Sequence, residues 1–179
     1  MTVADYLAAE ETGAVKHEFI GGEIHAMGGA SLAHNTIALN IASALKAGLR
    51  GGPCQVFIGD VKVRLEVARE DIFYYPDVVV SCHPRGRDTH VLRFPTLVVE
   101  VLSPATETTD RREKNLNYRT ATTLEEYVLV AQDRREVTIF RRATGWQSEV
   151  YAEPAARVEL RSIDQTLALA AIYDGVALT

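Results

Sequence analysis

Two short stretches constrain this chain more than anything else in it: Tyr75-Pro76-Asp77-Val78-Val79-Val80 and Leu97-Val98-Val99-Glu100-Val101-Leu102-Ser103-Pro104. Each is a Val- and Leu-rich run of the kind that forms a strand buried on both faces, and each has one carboxylate set into it. An ionised Asp or Glu taken out of water costs several kcal/mol, roughly, unless a cation or a set of donors compensates. Two such residues on strands close in sequence therefore point to a shared cation. The economical candidate is a hard divalent metal, Mg²⁺ or Mn²⁺, which needs oxygen ligands and takes only one or two protein carboxylates.

Alternation along a strand puts Asp77, Val79 and Ser81 on one face, and Glu100 and Leu102 on one face of the next run. If the two strands are adjacent and in register, both carboxylates reach one ion. Lys114 follows Glu100 after the Ser103-Pro104 break, near the head of a helix that can fold back over the strand end. An ammonium there could orient or deprotonate a metal-bound water, which phosphodiester hydrolysis requires beyond charge neutralisation.

The surrounding pattern alternates helices and strands. Thr2 with Asp5 forms an N-cap for a short helix ending near Gly13, and Gly21-Gly22 joins strands 16–20 and 23–27 into a hairpin. Apolar residues Ile37, Ile41, Ala44, Leu45 and Leu49 recur at helical spacing between Ser31 and Leu49, and Gly51-Gly52-Pro53 stops that helix. From Val56 to Val67 apolar and polar residues alternate with one slip at Asp60, which predicts a long antiparallel strand with a bulge. Asp110-Arg111-Arg112-Glu113 opens a second helix running to about Ala121. Strands 126–131 and 136–140 form a hairpin, 146–151 an edge strand, and 167–173 a closing helical turn or two. The order gives an α/β fold of mixed α+β type, a central mixed sheet flanked by helices. With 179 residues, 47% of them apolar, one domain over residues 1–179 is expected.

Nineteen Lys and Arg against twenty-four Asp and Glu leave a net charge of −5, which disfavours coating nucleic acid through bulk charge. Local basic groups remain, at Arg85, Arg87 and Arg93, at Arg111, Arg112 and Lys114, and at Arg134, Arg135, Arg141 and Arg142. No segment reaches the roughly 18 apolar residues of a membrane-spanning helix, and the N-terminus lacks the pattern of a signal peptide. A cytoplasmic protein is expected. Cys54 and Cys82, without metal-ligand spacing, are read as ordinary buried thiols of a reducing compartment.

Pro76-Asp77 followed by Glu100-Val101-Leu102 resembles the PD-(D/E)XK nuclease superfamily, and within it the Uma-type branch of restriction-endonuclease-like proteins. The resemblance runs through "MTVADYLAAE", "HEFIGGEI", "AHNTIALNIASAL", "YPDVVV", "LVVEVLSPAT", "DRREKNLNYRTA" and "EEYVLVAQDRREVTIFRR". It implies a restriction-endonuclease-like core and a Mg²⁺- or Mn²⁺-dependent endonuclease acting on DNA. Asp77 and Glu100 would be metal ligands and, with Lys114 and His34, the catalytic set. The superfamily pattern places a lysine where this chain has Leu102, and Lys114 matches the position to which the Uma-type branch moves it. Lys62, in Asp60-Val61-Lys62, is the second candidate. His34 is a candidate contact for phosphate or metal, with a backbone-bonded helix-terminal histidine as the alternative reading. Glu18 matches the family as well, and a structural hydrogen-bonding role is favoured for it over ligation. The alternative function is a catalytically inactive nuclease fold that binds DNA or a protein partner. A homodimer is expected, with the 146–151 edge as a pairing surface.

Overall fold

The computed structural model describes residues 1–84 and 90–178, so Arg85 and Arg87 of the first arginine group lie outside the described residues. In chain order the elements are α1 (Val3–Thr12), β1 (His17–Ile20), β2 (Glu23–Ala26), α2 (Leu32–Gly48), β3 (Gln55–Ile58), β4 (Lys62–Val67), β5 (Glu70–Tyr74) and β6 (Val78–Ser81). There follow β7 (Val91–Leu92), β8 (Leu97–Leu102), α3 (Glu107–Thr109), a π-turn over Asp110–Lys114, α4 (Asn115–Tyr118), β9 (Glu126–Ala131) and β10 (Val137–Arg141). The chain closes with β11 (Ser148–Tyr151), β12 (Arg157–Leu160), β13 (Gln165–Ala168) and α5 (Leu169–Ile172).

A six-stranded sheet of order β11-β10-β9-β8-β6-β3 forms the centre, mixed because β8 and β9 run parallel while its other neighbours are antiparallel. On one face Val78, Val80, Leu97, Val99 and Val101 pack against Ile37, Ile41 and Leu45 of α2 and against Val158, Leu160, Leu169 and Ile172 from the C-terminal elements. On the other, Val79, Val98, Leu102, Tyr127 and Leu129 meet Val63, Leu65, Ile72 and Tyr74 of β4 and β5, with Tyr118 of α4. Each such side chain gains roughly 1.5–3 kcal/mol on burial. These contacts fix the register of β8, and the same alternation carries Glu100 inside between Val98 and Leu102.

β4 and β5 belong to a second sheet of order β2-β1-β5-β4-β7. The structure thus splits the long strand expected over 56–67. β3 joins the central sheet and β4 the second, and the slip in alternation marks a change of sheet rather than a bulge. Gly59, with φ 44°, turns the chain between them. The strand β5 gives no sequence signal because its tight link to β4 is made by Ala68 and Arg69 at φ 52° and 71°, residues that seldom adopt the left-handed region.

Cys54 and Cys82 correct another expectation: they are joined in a disulfide. The β3–β6 register pairs Gln55 with Ser81, so one step further the two cysteines face each other across the strands. Nothing in a separation of 28 residues announces that pairing. The bond also removes free thiols as support for a reducing compartment. Among the described residues no helix is long and apolar enough to cross a membrane.

Candidate active site

Register is what assembles the site. β6 and β8 are antiparallel neighbours with Val78 opposite Val99, so Asp77, one residue before β6, stands across from Glu100. Asp77 Oδ2 accepts the Val101 backbone N–H at 2.7 Å, which ties the residue before β6 to the end of β8. It also lies 3.2 Å from His34 Nε2. His34 sits in the first turn of α2, where its backbone N–H donates to the N-cap Ser31 Oγ at 3.0 Å. Burial would lower the His34 pKa, yet the Asp77 hydrogen bond and charge, aided by the Val101 backbone, hold it above the usual histidine value.

Glu100 is almost fully enclosed, and burial pushes its carboxyl well above the ordinary range. The Lys114 ammonium works against that rise, while the charges of Asp110, Asp77 and Glu18 add to it. Lys114 Nζ lies 2.7 Å from Glu18 Oε1, 3.4 Å from Asp110 Oδ1 and 3.6 Å from Glu100 Oε1. Burial disfavours the lysine's charge, but three carboxylates outweigh it and keep the amine protonated far into the alkaline range. Tyr118 Oη adds a long hydrogen bond of 3.4 Å to Glu100 Oε1.

The expected helix from Asp110 begins earlier, at Glu107, and is not uniform. Its middle is the π-turn, which puts Asp110 and Lys114 side by side and buries both. Tyrosines of both sheets hold this short segment. Tyr127 Oη donates to the Asp110 carbonyl at 3.0 Å, and Tyr74 Oη accepts from Asn117 Nδ2 at 2.7 Å. The Tyr74 ring also lies under Lys114 Nζ, 5.1 Å from its centroid.

Asp77, Glu100, Lys114, His34, Glu18 and Asp110 all line one cavity of about 320 Å³. Its remaining walls come from the connection between β2 and α2 and from the Ser103–Thr106 turn after β8. Lys62 is not in this lining. It is buried on β4 with its ammonium 5.2 Å from the Tyr75 ring centroid, and burial lowers its pKa. Sequence reasoning makes Asp110 a helix-capping residue and does not place it here. The signal that could have found it is its spacing of four from Lys114 within "DRREK". Glu18, for which the sequence favours a structural role, has the shortest contact with the lysine.

The cavity holds four carboxylates against one lysine. Glu18 Oε1 and Asp110 Oδ1 are buried and face the ammonium as charge partners without an aligned hydrogen-bond donor. Among the described residues no three His, Cys, Asp or Glu side chains are gathered tightly enough to cage an ion by themselves. The donor set is of oxygens, short of positive charge and built around two facing carboxylates. Such a set fits a hard cation that retains waters, and not a fully protein-ligated metal.

The family model described as "Uma2: Putative restriction endonuclease" matches residues 3–171. The chain belongs to this family. Two uncharacterized proteins of Synechocystis sp. are each 36% identical to it, one over 176 residues, covering 97% of this chain and 91% of its own length. The other aligns over 135 residues, covering 74% of this chain and 75% of its own. The crystal structure of a "putative nuclease belonging to DUF820" from Anabaena variabilis superposes with a TM-score of 0.72, covering 90% of this chain and 91% of that one. At 18% identity that likeness establishes a shared fold for this Uma2 chain.

Proposed function

We propose that this Uma2 protein is a nuclease that hydrolyses phosphodiester bonds in DNA with Mg²⁺ or Mn²⁺ held by Asp77 and Glu100. The observation that carries the reading is the meeting of these two carboxylates across β6 and β8, with the Lys114 ammonium 3.6 Å from Glu100 in the same cavity. The family description and the shared fold support it.

Bound between the carboxylates and the Val101 carbonyl, the cation would polarise the phosphoryl group and lower the pKa of water. The chain's own residues do the rest. His34 and the Val101 N–H fix Asp77 so that its second oxygen, Oδ1, points away from both bonds. Lys114 offers a positive charge at the Glu100 side of the cavity, where it can orient an attacking water and offset negative charge on a pentacoordinate phosphorus. Glu18 and Asp110 restrain that ammonium from two sides.

The test is supercoiled plasmid incubated with Mg²⁺, Mn²⁺ or EDTA, for wild type and Glu100→Gln. Cleavage that needs the cation and disappears in the variant is expected. Cation-dependent DNA binding without cleavage would instead favour the inactive nuclease fold.

A further inference from the structure

We infer that the substrate of this site is single-stranded DNA, engaged through one or two phosphates, and not the backbone of an intact duplex. This rests on the nuclease reading above. The first observation is depth. The side chains that must meet one phosphate are only 5% (Glu100), 8% (Lys114) and 22% (Asp77) exposed. A phosphate reaches all three only by entering the cavity of about 320 Å³. Phosphates of a stiff, paired helix cannot follow it there without local unpairing and unstacking, which costs a few kcal/mol, roughly, whereas a single strand bends in freely.

The second observation is the wall opposite the acids. Ala26, Met27, Gly28, Gly29 and Ala30 present small, apolar surface, and no heavy atom lies within 4 Å of where a Cβ would stand on Gly28 or Gly29. That surface suits the flat face of an unpaired base, which a duplex keeps stacked inside.

The third is charge. Proteins that grip duplex DNA by its backbone neutralise about 6–10 phosphates with Lys and Arg. The cavity lining has one lysine and no arginine among the described residues. Arg111, next to the lining residue Asp110, is turned onto Glu107 at 2.8 Å and Glu136 at 3.5 Å. Arg134, from the third arginine group, likewise pairs with Glu136 at 2.9 Å. Capture therefore depends on the bound cation and on few phosphate contacts.

The experiment measures anisotropy of an end-labelled oligonucleotide, alone or annealed to its complement, with wild-type protein in Ca²⁺ or EDTA over a salt series. Cleavage of the same strands and of a duplex with a single-stranded overhang is followed in Mn²⁺. We expect binding of the single strand at least tenfold tighter than of the duplex, lost in EDTA. One or two contacts give a log–log salt slope of about −1, at about −0.7 per phosphate. Single strands and overhangs should be cut at least tenfold faster than blunt duplex. Duplex bound or cut as well as single strand, or a slope of about −6, overturns the inference. Failure of the nuclease reading looks different: cation-dependent single-strand binding with no cleavage in Mn²⁺ removes hydrolysis and upholds the substrate class. Neither binding nor cleavage of any strand overturns both.

Discussion

Glu100 on β8 and Glu126 on the adjacent β9 are both buried carboxylates with a basic partner, and they are satisfied in opposite ways. Glu126 receives four close donors: Arg141 Nε at 2.8 Å, the Arg161 N–H at 3.1 Å, the Ser162 N–H at 3.0 Å and Ser162 Oγ at 2.6 Å. Arg141 in turn donates to the Glu159 carbonyl at 2.6 Å, to Tyr151 Oη at 3.2 Å and to Glu149. Glu100 has one long hydroxyl bond and a share in an ammonium divided among three acids. A buried charge that serves the fold comes with its donors built in. One that is left short of positive charge inside a cavity is arranged for something that arrives later.

If that contrast is right, stability and activity should separate cleanly between the two acids. Glu126→Gln should cost about 3–5 kcal/mol in urea unfolding, the scale for stripping one member of a fully buried pair. Glu100→Gln should leave the metal-free protein as stable as wild type or more so, while abolishing hydrolysis. Equal destabilisation by the two variants would erase the distinction.

The next largest effect concerns the lysines. Lys114→Ala should slow hydrolysis by about two to three orders of magnitude, the scale for losing one positioned electrostatic group. Lys62→Ala, which removes a side chain outside the cavity, should slow it far less. Single-turnover rates decide this, and a reversed order would transfer the role to Lys62.

Divalent cation should stabilise one cluster only. At a hundredfold excess over Kd, Mn²⁺ adds about 2.7 kcal/mol by mass action on the folded state. Melting curves should show that gain in wild type and in any Glu126→Gln protein that folds, and lose it in the Asp77→Asn/Glu100→Gln double variant. A shift that survives the double variant would place the cation elsewhere.

The smallest effect is on pH. Burial, with like charges added, raises the pKa of Glu100 and of Asp110 above their usual carboxylate values. A carboxyl whose pKa is raised on folding favours the folded state while protonated, and that contribution is lost as pH rises through the folded value. In EDTA, stability should therefore fall from about pH 4 upward, by at most about 1.4 kcal/mol per pH unit per group. The fall should be absent from a Glu100→Gln/Asp110→Asn variant, and Mn²⁺ should blunt it in wild type.

Legibility in the sequence follows the same contrast. Asp77 and Glu100 stand out because a lone acid in a run of Val and Leu is costly to bury for the sake of the fold alone, and α2 stands out by its apolar spacing. Lys114 has no such signature; only the resemblance of "DRREKNLNY" to the Uma-type pattern singles it out. Asp110 is hidden by its plausibility as a capping residue. Glu126 reads as the first residue of a strand, and its partner Arg141 as one of an exposed-looking arginine group, because their pairing is across strands. The second sheet is hidden for a local reason. Ala68 and Arg69 adopt a turn that sequence usually assigns to Asn or Gly, and the step at Gly59 looks like a bulge until the partner strands are known.

The π-turn has a consequence for how this segment tolerates change. It takes in one more residue per turn than the flanking helix, so deleting any one of Arg111, Arg112 or Glu113 would let the segment relax into ordinary α-helix. Everything after the deletion would then rotate by about 100° about the helix axis. Lys114 would leave the acids, and Tyr118 and Asn117 would lose Glu100 and Tyr74. Substitutions at the exposed Arg112 and Glu113 carry no such penalty. Among variants of this chain, the segment should therefore accept many changes of letter and no change of length: the spacing from Glu100 to Lys114 is the inherited quantity, more than the residues that fill it.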